Sequence, residues 1–273
     1  MKLDICIPVY RNLKCLNAMA QALRRNVDTS DIGRVLLHVQ DLSEAHFASV
    51  FAKAGFDVAV VSVGSDKPET MATYMDRLFS ECKSEWVLFT EQDVFMHSSP
   101  FKVASIIRDD GYIAAGPLDT MHANSPNAIG RALYGQYMRL SPEPGFFHSS
   151  LIFLDRQAVA ERSKTPFTIP AGFKMHGTGV LGGESYYGLR VNLSDPSDYM
   201  LKKDREKIRF FEQRHSSFGY AATIKMDSHI LATHLYFSST KEGYKKSGWL
   251  SESDYRWLCS EEDKFFAFHA LSP

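Results

Sequence analysis

Over the first 116 residues, short runs of β-branched and aliphatic side chains alternate with longer stretches whose apolar positions recur every three to four residues. That interleaving is the pattern of βαβ units and predicts an α/β chain built on a mainly parallel sheet flanked by helices. Strands are predicted at 3–9, 35–39, 58–63, 86–90 and 112–115, and helices at 13–25, 43–54, 69–82 and 100–109. Gly55 closes the second helix, while Ser99 and Pro100 give the fourth an N-cap and a first-turn proline.

Beyond residue 116 the pattern loosens. A stretch rich in Pro, Gly, Asn and His covers 117–147, followed by an apolar run at 150–155 that reads as a strand and a short helix at 156–162. Gly and Pro dominate 164–184, and loops of that length in a compact domain usually wall a site. The mixed-sign stretch 202–214 reads as a solvated helix, 224–237 as strand, and 251–268 as a C-terminal helix. No repeat or linker interrupts the chain, so residues 1–273 are expected to form one domain with a smaller C-terminal region.

Composition narrows the function classes. With 44% hydrophobic residues the chain can bury a sizeable core. A formal charge of −1 leaves no global positive field for nucleic acid phosphates. Four cysteines lie scattered without C-x-x-C spacing, which points away from a zinc site and toward reduced thiols. Neither a secretory leader nor an apolar stretch of about 18 residues is recognisable, so a cytoplasmic location without a transmembrane segment is the expectation.

In an open parallel sheet, ligands bind beyond the carboxyl ends of the strands. The residues at those ends are Pro8 to Asn12 after the first strand, Gln40 and Asp41 after the second, and Glu91, Gln92 and Asp93 after the fourth. Glu91 and Asp93 are two apart on an extended stretch, so both can face one side and share a divalent cation, which in turn can bridge the phosphates of a nucleotide.

These strand ends carry a family likeness. The segment Ile5-Cys6-Ile7-Pro8-Val9-Tyr10-Arg11-Asn12 resembles the opening strand of glycosyltransferase family 2 and its GT-A relatives. Residues 35–43 (VLLHVQDLS) resemble that family's second strand with its acidic end, and 86–95 (WVLFTEQDVF) resembles the strand leading into its D-x-D motif. Order and spacing match over roughly the first 120 residues. The resemblance implies a GT-A fold whose first 120 residues bind the nucleotide sugar and whose residues 121–273 hold the acceptor.

Carried over position by position, the resemblance makes Pro8, Tyr10 and Arg11 part of the donor pocket, puts Asp41 on the base or ribose, and makes Asp93 a ligand of Mn²⁺ or Mg²⁺. Glu91 stands where the family has the first Asp, one methylene longer, and is expected to contact the donor. Further on, Gly182-Gly183-Glu184-Ser185 resembles the loop with the catalytic acid; Ser185 replaces the second acid, leaving Glu184 as base. His234 resembles the late histidine near the metal or diphosphate, with His229 a competing candidate. Lys241, Lys245 and Lys246, beside Gly243 and Gly248, are expected to form a loop that closes over the phosphates, with Lys245 contacting the donor.

The expected reaction moves a sugar from a UDP- or GDP-sugar to a glycan or lipid-linked acceptor, metal-assisted and inverting, as in polysaccharide biosynthesis. Peripheral association with a membrane is compatible with such an acceptor. Two alternatives stand beside it: a GT-A-like module that binds nucleotide or glycan without turnover, and a sugar-phosphate nucleotidyltransferase. The latter would carry a glycine-rich phosphate loop after strand one, which Pro8 to Asn12 lacks.

Overall fold

The computed structural model describes residues 1–9, 12–39, 44–63, 71–117, 150–162, 164–167, 205–215, 221–235, 241–246, 248 and 251–269. In chain order the elements are β1 (Leu3–Val9), α1 (Leu13–Asn26), β2 (Ile32–Val39), α2 (Glu44–Lys53), β3 (Val58–Val63), α3 (Met71–Glu81), β4 (Trp86–Thr90), β5 (Val94–Met96), α4 (Pro100–Asp109) and β6 (Ala114–Pro117). There follow β7 (Leu151–Asp155), α5 (Arg156–Arg162), β8 (Ile208–His215), β9 (Ala221–Met226), β10 (His229–Leu235), α6 (Lys241–Lys246) and α7 (Glu252–Phe268).

One sheet runs through the described residues in the order β3-β2-β1-β4-β7-β6-β8-β9-β10-β5. Its first four strands are parallel, as the βαβ pattern requires. The later pairs are antiparallel except for β6 with β8. Helices cover both faces, which is why β1 can be apolar almost throughout. Leu3, Ile5, Ile7 and Val9 point into a core shared with α1, α2, α4 and α7; Cys6 points the other way, into a core shared with α3 and α5.

The helix ends obey local rules. Asn12 caps α1 by accepting from the Cys15 N–H at 3.1 Å, and Arg24 and Arg25 sit in its last turn, where the dipole favours cations. Ser99 caps α4 ahead of Pro100, as predicted. Ser251 caps α7, accepting from the Asp254 N–H at 3.1 Å. Gly55 ends the α2 segment at a φ of +88°, open to glycine at no steric cost.

Asp4 is the one charge on β1, and it is buried. Its carboxylate accepts from the backbone N–H groups of Arg34, Lys83 and Ser84 at 2.7 to 2.9 Å and from the Ser84 hydroxyl at 2.7 Å. This knot ties together β1, the start of β2 and the residues leading into β4. Gly33 is required by it: a Cβ there would lie 2.2 Å from Ser84 Oγ and 2.3 Å from Asp4 Oδ1.

Three local predictions are corrected. The solvated helix expected at 202–214 is not found over 205–214: a 3₁₀ turn at Arg205–Lys207 leads into β8, where Ile208, Phe211 and Gln213 are buried. One of the charges that suggested a solvated helix is tied across the fold instead: Arg209 pairs with Asp110 at 2.5 Å and with Asp227 at 2.8 Å. Where one strand was expected at 224–237, the described residues 221–235 form a hairpin, β9 and β10, turning at Asp227 with a left-handed φ of 54°. Finally β5, a strand of three residues, was not anticipated.

Candidate metal centre

The last strand of the sheet, β5, follows the middle strand β4 after just three residues, Glu91, Gln92 and Asp93. Three residues span at most about 10 Å. The far half of the sheet therefore bends back on β4, and the acid turn lies in the fold of that bend.

Hydrogen bonds hold the turn from several sides. The Glu91 N–H donates to the Ser150 carbonyl at 3.3 Å, and the Val94 N–H returns to the Glu91 carbonyl at 3.1 Å. On the far side the Leu235 N–H donates to the Asp93 carbonyl at 2.9 Å. The antiparallel register sets His234 opposite Val94, and thus beside Asp93. Gln92, fully buried between the two acids, donates through Nε2 toward the Asn12 carbonyl at 3.5 Å.

The outcome is a trio of side chains from two distant parts of the chain. His234 Nε2 stands 3.6 Å from Glu91 Oε2 and 3.6 Å from Asp93 Oδ1, and the three ligand atoms all lie within 4.8 Å of one another. Donors bound to one small cation at about 2.1 Å stand about 3.0 Å apart at right angles and about 4.2 Å apart when opposite. The His234 separations fall between those limits, and two carboxylates with one imidazole suit a hard or borderline divalent ion. The donor set therefore fits Mn²⁺ or Mg²⁺, with coordination positions left for a ligand or water.

Electrostatics agree with the geometry. Burial alone would pull the His234 pKa down; the Asp93 carboxylate, with Glu91 behind it, outweighs burial and holds the imidazole above its ordinary value. A cation arriving here takes the place of that proton, relieving two acids that otherwise share one charge.

Of the predicted site residues, Glu91, Asp93 and His234 are thus brought together. Pro8 lies at the carboxyl end of β1, buried and opposite His38 of β2. Tyr10, Arg11, Asp41 and Glu184 fall outside the described residues. His229 is set aside by the strand direction: it is exposed at the hairpin end of β10, opposite Met226, five residues from His234 and so about 17 Å along the strand.

The lysines 241–246 form the helix α6 rather than a loop. Lys245 is half-exposed, 3.1 Å from Glu252 and 4.0 Å above the Tyr255 ring. Lys241 is buried and paired with Glu262 of α7. Lys241 was expected in a phosphate-closing loop and instead pairs with α7, while Glu262 and Gln92 were not assigned a role in the site. For Glu262 a signal existed: residues 258, 262, 265 and 266 share one helix face, and Glu262 is the charge on that stripe.

By sequence, the chain matches neither a family model nor a curated protein. By structure it resembles glycosyltransferases. Glucosyl-3-phosphoglycerate synthase from Mycobacterium tuberculosis, solved with phosphoglyceric acid, superimposes with a TM-score of 0.50 at 11% identity, over 77% of this chain and 69% of that one. A mannosyltransferase from Pyrobaculum calidifontis, in complex with GDP-Man and Mn²⁺, gives 0.42 at 10% identity, over 59% of this chain and 46% of its own length. The galactosyltransferase LgtC, with donor and acceptor sugar analogs, gives 0.43 at 15% identity, over 60% and 62%. The chain thus spans about half the length of the mannosyltransferase. Its fold is the GT-A fold.

Proposed function

We propose that this chain is a metal-assisted glycosyltransferase that moves a sugar from a UDP- or GDP-sugar to a glycan or lipid-linked acceptor. One observation carries the reading: in a GT-A sheet, two carboxylates and an imidazole meet at the carboxyl end of the parallel strands with spacings that suit one divalent cation. Bound there, Mn²⁺ or Mg²⁺ supplies positive charge to the donor's two phosphates and to the departing nucleoside diphosphate.

Within this reading the residues divide the work. Asp93 and His234, both buried, hold the cation from the protein side. Glu91, the more exposed of the acids, is left to face the donor. Pro8, Tyr10, Arg11 and Asp41 bind the nucleoside, Lys245 reaches the phosphates once released from Glu252, and Glu184 removes the acceptor hydroxyl proton in an inverting transfer. Residues 1–273 act as one catalytic domain in the cytoplasm. Among the described residues no helix is long and apolar enough to cross a membrane.

Calorimetric titration of UDP, GDP and CDP with and without Mn²⁺ tests the reading. It expects nucleotide binding that needs the metal and is lost in Asp93→Ala, with Glu184→Gln retaining binding but not transfer. Metal-independent glycan binding without nucleotide affinity would favour the binding module instead. Unchanged metal-dependent binding in Asp93→Ala would remove the centre proposed here.

A further inference from the structure

The C-terminal helix α7 buries four residues, Leu258, Glu262, Phe265 and Phe266, at the spacing of a single core stripe. Three are apolar. Phe265 and Phe266 pack on Phe95 of β5 with ring centroids 5.1 and 5.6 Å away, two residues after Asp93. The fourth position holds a carboxylate that is 1% exposed.

A buried carboxylate is a poor way to stabilise a helix against a core. Desolvation takes back most of what its ion pair gains, and apolar replacements of buried pairs are often as stable or more so. Glu262 is nonetheless fully engaged. Its Oε1 accepts from Asn12 Nδ2 at 3.3 Å and from the Cys15 thiol at 3.1 Å; its Oε2 accepts from the buried Lys241 ammonium, with Lys14 at 3.9 Å. Burial, then the charges of Glu262 and Asp93, hold the Cys15 thiol well above its ordinary pKa, so it stays a protonated donor to Glu262.

Two of these partners, Asn12 and Lys241, lead to the metal centre. Asn12 caps α1 through Oδ1, donates to Glu262 through Nδ2, and offers its carbonyl to Gln92, the residue between Glu91 and Asp93. Lys241 opens α6, the element after β10, which carries His234. Glu262 thus sits where the supports of the acid turn and of the histidine strand converge.

We propose that Glu262 is a positioning residue for the metal centre, clamping Asn12 and Lys241 to α7 so that Glu91, Asp93 and His234 keep the spacing a divalent cation needs. The proposal rests on the reading of that trio as a metal site. Groups that orient metal ligands from behind typically weaken metal binding 10- to 100-fold when lost.

The test is Mn²⁺ titration followed by the electron paramagnetic resonance of the free ion, on wild type, Glu262→Gln and Asn12→Ser. Glutamine keeps the shape of Glu262 but turns a donor toward Lys241. Serine caps a helix as well as asparagine does and removes the amide that donates to Glu262 and, at 3.4 Å, to the Cys15 sulfur, so the second variant decides the matter if the first fails to fold. Both folded variants are expected to bind Mn²⁺ at least about 10-fold more weakly, with near-UV circular dichroism unchanged. A lowered melting temperature with Mn²⁺ affinity within about twofold of wild type, an effect too small for that support role, overturns the proposal and leaves Glu262 structural. Wild type that binds no Mn²⁺ overturns the metal reading itself, a result distinct from the first.

Discussion

Acid should loosen the C-terminal helix through one histidine. His97, just after β5, donates or accepts through Nε2 with Thr233 Oγ1 at 2.8 Å, and its ring packs on His269, just past α7, at 5.0 Å. Its N–H is held by the Leu231 carbonyl at 2.8 Å, and the His269 carbonyl accepts from Arg25 at 3.0 Å. Burial, and next the neighbouring His269, lower the His97 pKa to about 4 from an ordinary value near 6.5. The folded state therefore prefers the neutral ring. Its contribution is fully present above pH 6.5 and is lost as pH falls toward 4, because the unfolded chain takes up the proton first. The gap between the two values, at about 1.36 kcal/mol per pH unit, is worth about 3 kcal/mol in full, of which about 2 kcal/mol is gone by pH 4.5. Other groups titrate over the same range, so the comparison is with His97→Gln, whose amide keeps a partner for Thr233 but does not titrate. Urea unfolding of both proteins at pH 7 and pH 4.5 should show wild type losing about 2 kcal/mol more than the variant. Equal losses in the two proteins would mean that His97 is protonated in the fold, and the reasoning would fall.

Two further outcomes follow from geometry already described. Gly33→Ala forces a methyl group into the Asp4–Ser84 knot and should cost about 2 kcal/mol or more in urea unfolding. Because that knot lies at the opposite ends of the strands from the acid turn, the folded variant should still bind Mn²⁺ as wild type does; wild-type stability would show that the knot is looser than described. Lys245→Ala removes an exposed pair with Glu252 and should leave the urea unfolding midpoint essentially unchanged. It should raise the KM for the sugar donor, and an unaltered KM would take Lys245 out of the donor set.

The parallel half of the sheet was legible because each of its strands is a continuous apolar run between punctuated helices, as in Leu3 to Val9 and Trp86 to Thr90. The far half was harder to read for physical reasons. Val94, Phe95 and Met96 are too few to stand out as a strand and exist as one only by pairing with β10. The hairpin turn at Asp227 carries no glycine to mark it: the aspartate itself takes the left-handed backbone, and both its carboxylate oxygens accept from Arg209 Nη2. In the site, Asp93 and Glu91 were visible from their place after a strand, and His234 through family resemblance. The register that joins them is a long-range property. Glu262 was hidden in the acidic run Glu261-Glu262-Asp263, which looks solvated until the helix face is known to be buried.

The bend that returns β5 to the middle of the sheet sets an order of events during synthesis. The parallel half of the sheet can condense as soon as β4 leaves the ribosome, yet β5 has its partner strand only after about 130 further residues have been made. At ~5–20 residues per second, that wait is roughly 7–25 s. For that interval the nascent chain presents two acids without their histidine and an edge without its neighbour. The trio of Glu91, Asp93 and His234 therefore comes together only at the end of folding, and a chain stopped short of residue 229 lacks both the histidine and the strand that carries it.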